Sequence, residues 1–307
     1  LTSKYSRAFC PAHITCFFQI HDKSENPLEI GSRGAGICLD RGITATVKVE
    51  IAKENSLEII VNPNIGEPRV TRSAAEKMVK LANEKYSKNY KITVIQEMGI
   101  PVYAGFGSSG AAAFSTALAL NDALELGLTK NRVGQIAHLS EIENLTGLGD
   151  VVAQNVGGVE IRVKEGAPGY GIVDSIPVSE DYVVVCGSIG KIETKDVISQ
   201  KEKKEKINTA GKNLLEELIK NATIENMALL AKKFARESGL MTKKVEEAIL
   251  ALEKGGFEYC SMIMLGESIF CITNRKKAKE AYGILRKCVP QGFAEICKID
   301  FRGARLI

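Results

Sequence analysis

Residues 105–113 read GFGSSGAAA. Three glycines and two serines sit among the first six positions, with Phe106 between two of the glycines, and alanines follow at once. The glycines and serines bring no apolar surface to bury. Glycine lets the backbone take dihedrals closed to other residues and approach a ligand closely, and alanine is the strongest helix former. The stretch is therefore expected as a loop opening into a helix over about 111–126. The preceding YKITVIQE, residues 90–97, reads as a strand.

Around this unit the first half alternates strand-like and helix-like segments. AHITCFFQI (12–20) is rich in β-branched and aromatic residues. ICLDRGITATVKVE (37–50) reads as two strands joined at Arg41-Gly42, and SLEIIVN (56–62) as another. Ala74, Met78, Leu81 and Ala82 recur at helical spacing within 70–86. A helix over 130–144 and a strand GVEIRV (158–163) follow. In the second half, YVVVCGSI is a buried strand, and helices are expected over 196–220, 224–237 and 243–254. EYCSMIM and ESIFCIT form a strand pair around Leu265-Gly266; a helix over 276–287 and a last strand, AEICKIDF, end the chain. No repeat or long linker interrupts it. The expected division lies near residues 175–182, giving domains 1–178 and 179–307.

Composition removes several classes. The 307 residues carry 41 basic and 37 acidic side chains, a net charge of +4 that suits an anionic ligand but not a nucleic-acid surface. The densest basic run, KEKKEK (201–206), is interleaved with glutamate and reads as a solvated helix face. No apolar run reaches membrane-helix length, and the N-terminal residues lack a signal peptide's pattern, so a cytosolic protein is expected. None of the eight cysteines forms C-x-x-C, which favours buried reduced thiols. Three histidines leave little for a zinc site.

Three chemistries could use the loop. Gly105, Gly107 and Gly110 spell G-x-G-x-x-G, but the dinucleotide fingerprint needs a strand directly before it and a second strand after its helix. Here Pro101 intervenes and another helix follows. A Walker A loop needs a lysine that is absent. A phosphate cradle remains, in which first-turn amides without an intrahelical partner meet an anion at the helix's positive end. Ser108 and Ser109 could cap those amides or reach a phosphate or Mg²⁺.

PVYAGFGSSGAAAF resembles the central P-x-x-x-G-[LF]-G-S-S-[AG]-A motif of the GHMP small-molecule kinases. CPAHITCFF resembles their first motif, and SMIMLGESIFCI, with Gly266 at a strand turn, lies where their third motif lies. IGSRGAGICLDRG and AHLSEIENLTGLGDVVAQNVGGVEIRV are similar to the archaeal pantoate kinases within that superfamily. The resemblance covers essentially the whole chain. It implies an α+β, two-domain fold: a ribosomal-protein-S5-domain-2-like N-terminal domain and a ferredoxin-like C-terminal domain. It also implies ATP and Mg²⁺ as cofactors, pantoate as the small-molecule partner and, by analogy, a homodimer.

The same resemblance implies site residues. Pro101, Gly105, Gly107, Ser108, Ser109, Gly110 and Ala111 would hold ATP. Glu141 with Ser108 would bind Mg²⁺, and Asp150 would be the carboxylate beside the acceptor hydroxyl. Ser32, His138 and Arg162 would hold pantoate. Taken without the resemblance, Glu141 is a solvent-facing helix residue and Asp150 a turn residue or helix cap. Glu160, Arg162 and Lys164 share one strand face, which composition alone would turn outward; a guanidinium is nevertheless the natural bidentate partner of a carboxylate. The chain departs from the family where Pro11-Ala12-His13 replaces Pro-Gly-Lys, where Ala12 and Cys16 replace glycines, and where Gly110 replaces alanine. The alternatives are a kinase for mevalonate, homoserine or shikimate, or a non-catalytic binding protein on this fold.

Overall fold

The structure is a computed structural model that describes residues 3–64, 66–190 and 201–307. The chain opens with two long strands, β1 (Lys4–His21) and β2 (Gly31–Ala52), paired antiparallel along nearly their whole length. Arg41-Gly42 does not separate two strands, contrary to the sequence expectation. β2 runs straight through, and Asp40 and Arg41 form a bulge, because Pro11 faces Gly42 while Ala12 faces Leu39. The excess of two residues keeps the side-chain alternation in phase, so Ile37, Leu39, Ile43, Ala45 and Val47 all stay buried. At the bulge β2 also changes partners. Residues 43–52 pair with β4 (Asn89–Met98), and residues 34–37 pair with β5 (Val159–Lys164).

The remaining strands of this seven-stranded sheet are β3 (Ser56–Asn62), parallel to β4, β6 (Ile172–Ser175) beside β5, and β11 (Arg305–Leu306) beside β1. α2 (Ser108–Ala123) packs on β1 and β2, with α1 (Arg69–Tyr86) and α3 (Lys130–Asn144) against it. Its alanine-rich sequence suits a helix covered all round. A short helix of about two turns, α4 (Asp150–Val156), precedes β5.

The second sheet is antiparallel, in the order β10 (Phe293–Lys298), β7 (Tyr182–Gly190), β9 (Glu267–Asn274), β8 (Cys260–Ile263). Numbered within this half the order is 4-1-3-2, as a ferredoxin-like sheet requires. Between β7 and β8 lie α5 (Lys201–Lys220), α6 (Ile224–Glu237) and α7 (Lys243–Lys254); α8 (Ala278–Cys288) precedes β10. Residues 196–200 of the helix expected over 196–220 lie outside the described residues.

Both halves share one core. A side chain on Gly211 of α5 would strike the Phe18 carbonyl of β1 at 2.3 Å, and the Phe234 ring of α6 lies tilted against Phe17 and Phe18, centroids 6.4 and 5.5 Å apart. The last strand, β11, returns to the first sheet, where the Arg305 guanidinium lies 4.8 Å over the Phe9 ring. Among the described residues no helix is long and apolar enough to cross a membrane. The eight cysteines are free thiols, and all but the half-buried Cys288 are buried.

Candidate active site

Gly107 takes a left-handed backbone (φ 61°) and so starts α2 at Ser108, three residues before the expected start. No side chain caps this helix end. Its first-turn amides stand uncapped at the positive end of the helix, bordering a cleft of about 530 Å³. Residues 105–109, 67–71 and 144–150 wall the cleft, with Met264 and Leu265 from the β8–β9 turn. That turn meets the loop backbone to backbone. A Cβ on Gly266 would lie 2.0 Å from the Ala104 carbonyl, and one on Gly105 would lie 2.6 Å from that of Met264. Of the expected nucleotide residues, Gly105, Gly107, Ser108 and Ser109 line the wall. Pro101 stands outside it at the foot of the loop, and Ala111 is buried beneath it.

Glu141 is not a solvent-facing helix carboxylate; it is buried on the side of α3 that meets the start of α2. The hydroxyl that donates to its Oε1 belongs to Ser109, not to Ser108, with Thr146 Oγ1 donating at 3.1 Å. Because the helix begins at Ser108, the next residue turns toward α3, while Ser108 stays on the cleft wall. Burial pushes the Glu141 carboxyl up to about 8; the Asp150 charge adds to this, and the two hydroxyls oppose it. Gly110 makes this approach possible. A Cβ there would sit 3.0 Å from Glu141 Oε2 and 2.9 Å from Gln154 Oε1, so alanine's methyl would push both side chains back.

These groups fit the cofactors that the loop suggests. Uncapped amides at a helix start suit phosphate oxygens. A buried carboxylate flanked by hydroxyls is the hard oxygen donor set Mg²⁺ takes, and a cation there would offset the burial that holds Glu141's proton. Among the described residues no cluster of three His, Cys, Asp or Glu could bind a metal alone. This matches an ion that takes one or two protein carboxylates and fills its shell from phosphate and water.

Asp150 opens α4, and its side chain keeps 21% exposure to the cleft. Its Oδ1 lies 2.7 Å from Nδ1 of His13, a residue of β1. The other ring nitrogen, Nε2, lies 2.9 Å from Glu160 Oε1, and Arg162 Nη1 donates to that same oxygen. The 3.3 Å approach of Nη1 to Nε2 reflects two donors converging on one acceptor. Burial alone would lower the His13 pKa; its bonds to Asp150 and Glu160 outweigh that and hold it above the ordinary 6.5. The position where many members of the family carry lysine thus holds a buried histidine bonded to two acids.

The polar face of β5 points inward, contrary to composition. Glu160 and Arg162 are buried and only Lys164 is exposed. Ser32 reaches the cleft wall directly. Arg162 lies one layer behind it; its Nε has no partner and sits 3.0 Å from where a Gly149 side chain would be, beside Ser32 Oγ. His138 does not face the cleft. Its Nε2 lies 3.3 Å from the Pro27 carbonyl, in the 22–30 segment. Burial lowers its pKa to about 4, against the pull of the Pro27 and Ile30 carbonyls.

His138 has a measurable consequence. The unfolded ring takes a proton near 6.5, while the folded ring stays neutral to about 4. Between those values the unfolded state binds more protons, so stability falls as pH falls. His138→Gln is expected to remove that part of the slope. Urea midpoints at pH 7 and pH 5 check it, and an unchanged slope would refute the assignment.

Sequence reasoning did not find Glu160, Gln154, Thr146 or Gly147. Gln154 Nε2 donates to the Gly107 carbonyl at 2.9 Å and holds the loop's turn, and Gly147 lets Glu141 Oε2 come within 2.5 Å of its absent Cβ. Gly36 of GSRGAG and both glycines of GLGD were the available signal, since a polar side chain packs against each.

Residues 71–158 match the family described as GHMP kinases N terminal domain. The chain is 37% identical over 294 residues to a pantoate kinase of Thermococcus kodakarensis, covering 94% of this chain and 95% of that one. It is 39% identical over 280 residues to a pantoate kinase of Methanocaldococcus jannaschii, covering 91% and 96%. Among solved structures, a phosphotransferase related to the CoA biosynthesis pathway superposes with TM-score 0.88 at 33% identity, covering 99% of this chain and 98% of the other. A homoserine kinase from Cytophaga hutchinsonii shares the fold alone, with TM-score 0.72 at 14% identity and coverage of 99% and 98%.

Proposed function

The chain belongs to the GHMP kinase family, and from that premise we propose that it is a pantoate kinase, transferring the γ-phosphoryl group of ATP to the 4-hydroxyl of (R)-pantoate. The product, 4-phosphopantoate, would feed coenzyme A synthesis. The observation that carries phosphoryl transfer is the meeting of uncapped α2 amides and Asp150 at one cleft, with buried Glu141 bonded behind the Ser109 of its wall. The substrate is carried by full-length similarity to the two pantoate kinases.

Gly105, Gly107 and the Ser108 and Ser109 amides hold the triphosphate in this reading. Glu141, with Ser108 and Ser109 beside it, would hold Mg²⁺, which when bound neutralises charge on the transferred group. Asp150 orients the acceptor hydroxyl and takes its proton. Ser32 on the cleft wall, backed by the Arg162 Nε–H behind Gly149, anchors the acceptor carboxylate, and His138 acts at one remove by holding the 22–30 segment. Free, buried thiols suit a cytoplasmic setting.

An ADP-release assay with MgATP against pantoate, mevalonate, homoserine and shikimate tests the reading. Turnover is expected with pantoate, and preferred turnover of another acid would replace it. Arg162→Ala is expected to raise the acceptor KM far more than the ATP KM; equal effects would leave Arg162 a structural role only.

A further inference from the structure

Glu160 is buried at the centre of the molecule and touches neither the cleft nor solvent. We propose that it is a positioning residue for the transfer step: by one oxygen it holds His13 so that the ring's Nδ1–H engages Asp150, and it holds Arg162 so that Nε lies against the acceptor wall. This rests on the kinase reading above and adds to it a residue that reading does not use.

The bond pattern suits a doubly protonated ring. His13 meets a carboxyl oxygen at each ring nitrogen, 2.7 and 2.9 Å away, and two ionised carboxylates there would each accept from an N–H. Arg162 Nη1 donates to the same Glu160 oxygen, as it would to a carboxylate. A buried imidazolium and a buried guanidinium need a counter-charge between them, and the Glu160 carboxyl stands there. Without it the ring would shed a proton, and its charge-assisted bond to Asp150 would weaken. Engaging Oδ1 fixes the carboxylate plane and leaves Oδ2 for the acceptor hydroxyl.

Gly36 supplies an independent observation. It faces Glu160 across the β2–β5 pairing, and a Cβ on it would lie 2.3 Å from His13 Nε2 and 2.9 Å from Glu160 Oε1. Glycine inside a strand weakens it and marks a close approach; here the approach is the His13–Glu160 bond. One rigid unit therefore sets the spacing between the group that meets the acceptor carboxylate and the group that meets its hydroxyl.

Steady-state kinetics of the full chain with MgATP and pantoate test this. Glu160→Gln is expected to lower kcat about 10- to 100-fold, the usual cost of misplacing a reacting group. It should also raise the acceptor KM and leave the ATP KM unchanged. An asparagine amide can take the place of Nδ1 and a glutamine amide that of Nε2. His13→Asn should therefore retain more kcat than His13→Gln. Glu160→Gln with unchanged kcat and acceptor KM would overturn the proposal, as would the reverse order of the two His13 variants. Should the variants fail to fold, ¹⁵N-histidine NMR of the unmodified protein decides. His13 is expected to keep protons on both ring nitrogens to a higher pH than His21 and His138, and loss of its second proton no later than theirs would refute the assignment. Absence of turnover in the unmodified protein would instead count against the kinase reading, while the NMR result still decides the geometry.

Discussion

Asp150→Asn should fold, bind MgATP as before and lose about 10²- to 10⁴-fold in kcat, the range associated with a positioned general base. Asparagine can turn its carbonyl oxygen to His13 Nδ1 and so keep the shape of the site. What it lacks is a second anionic oxygen able to take the acceptor's proton. The loss should appear in kcat, because the proposed nucleotide site lies at the start of α2 and does not include Asp150. Calorimetric titration with nucleotide and steady-state kinetics on one preparation separate the two. Near-normal kcat in an Asp150→Asn protein that folds and binds nucleotide would remove Asp150 from the chemistry.

Glu141→Gln should cost about 10²- to 10³-fold in kcat, the range for losing one fixed electrostatic contact to charge developing in the transition state. It should also raise the Mg²⁺ concentration giving half-maximal rate. Glutamine can still accept from Ser109 and Thr146, and it brings no charge into the buried position. Thermal stability in metal-free buffer should therefore not fall. A kcat loss accompanied by a matching loss of Tm would make Glu141 a packing residue, and an unchanged Mg²⁺ requirement would refute its place at the metal.

Much of the fold was legible because its cues are local. The helices over 130–144, 224–237 and 243–254 begin where Thr129, Thr223 and Thr242 accept backbone N–H bonds, signals contained within four residues of chain. α4, β6 and β11 went unread because segments of seven, four and two residues carry too few positions for a period to show. Arg41-Gly42 looked like a turn because glycine after a polar pair usually makes one. It is a bulge because β1 continues unbroken on the far side, and nothing local to residues 37–50 reports that.

The sequence by itself determined the family and the glycine loop opening a helix, since both are written in contiguous residues; the two-domain fold came from the sequence only as what the family implies. Only the tertiary structure decided which polar side chains face inward. Alternation groups Glu160, Arg162 and Lys164 on one face of β5 without saying which face is buried. His13 from β1, Gly36 from β2, Asp150 from α4 and Glu160 from β5 meet only when the sheet closes. A buried charge is tolerable there because its counter-charges arrive from other segments, so the balance of two acids and two bases is a property of the assembled site and of no stretch of chain alone.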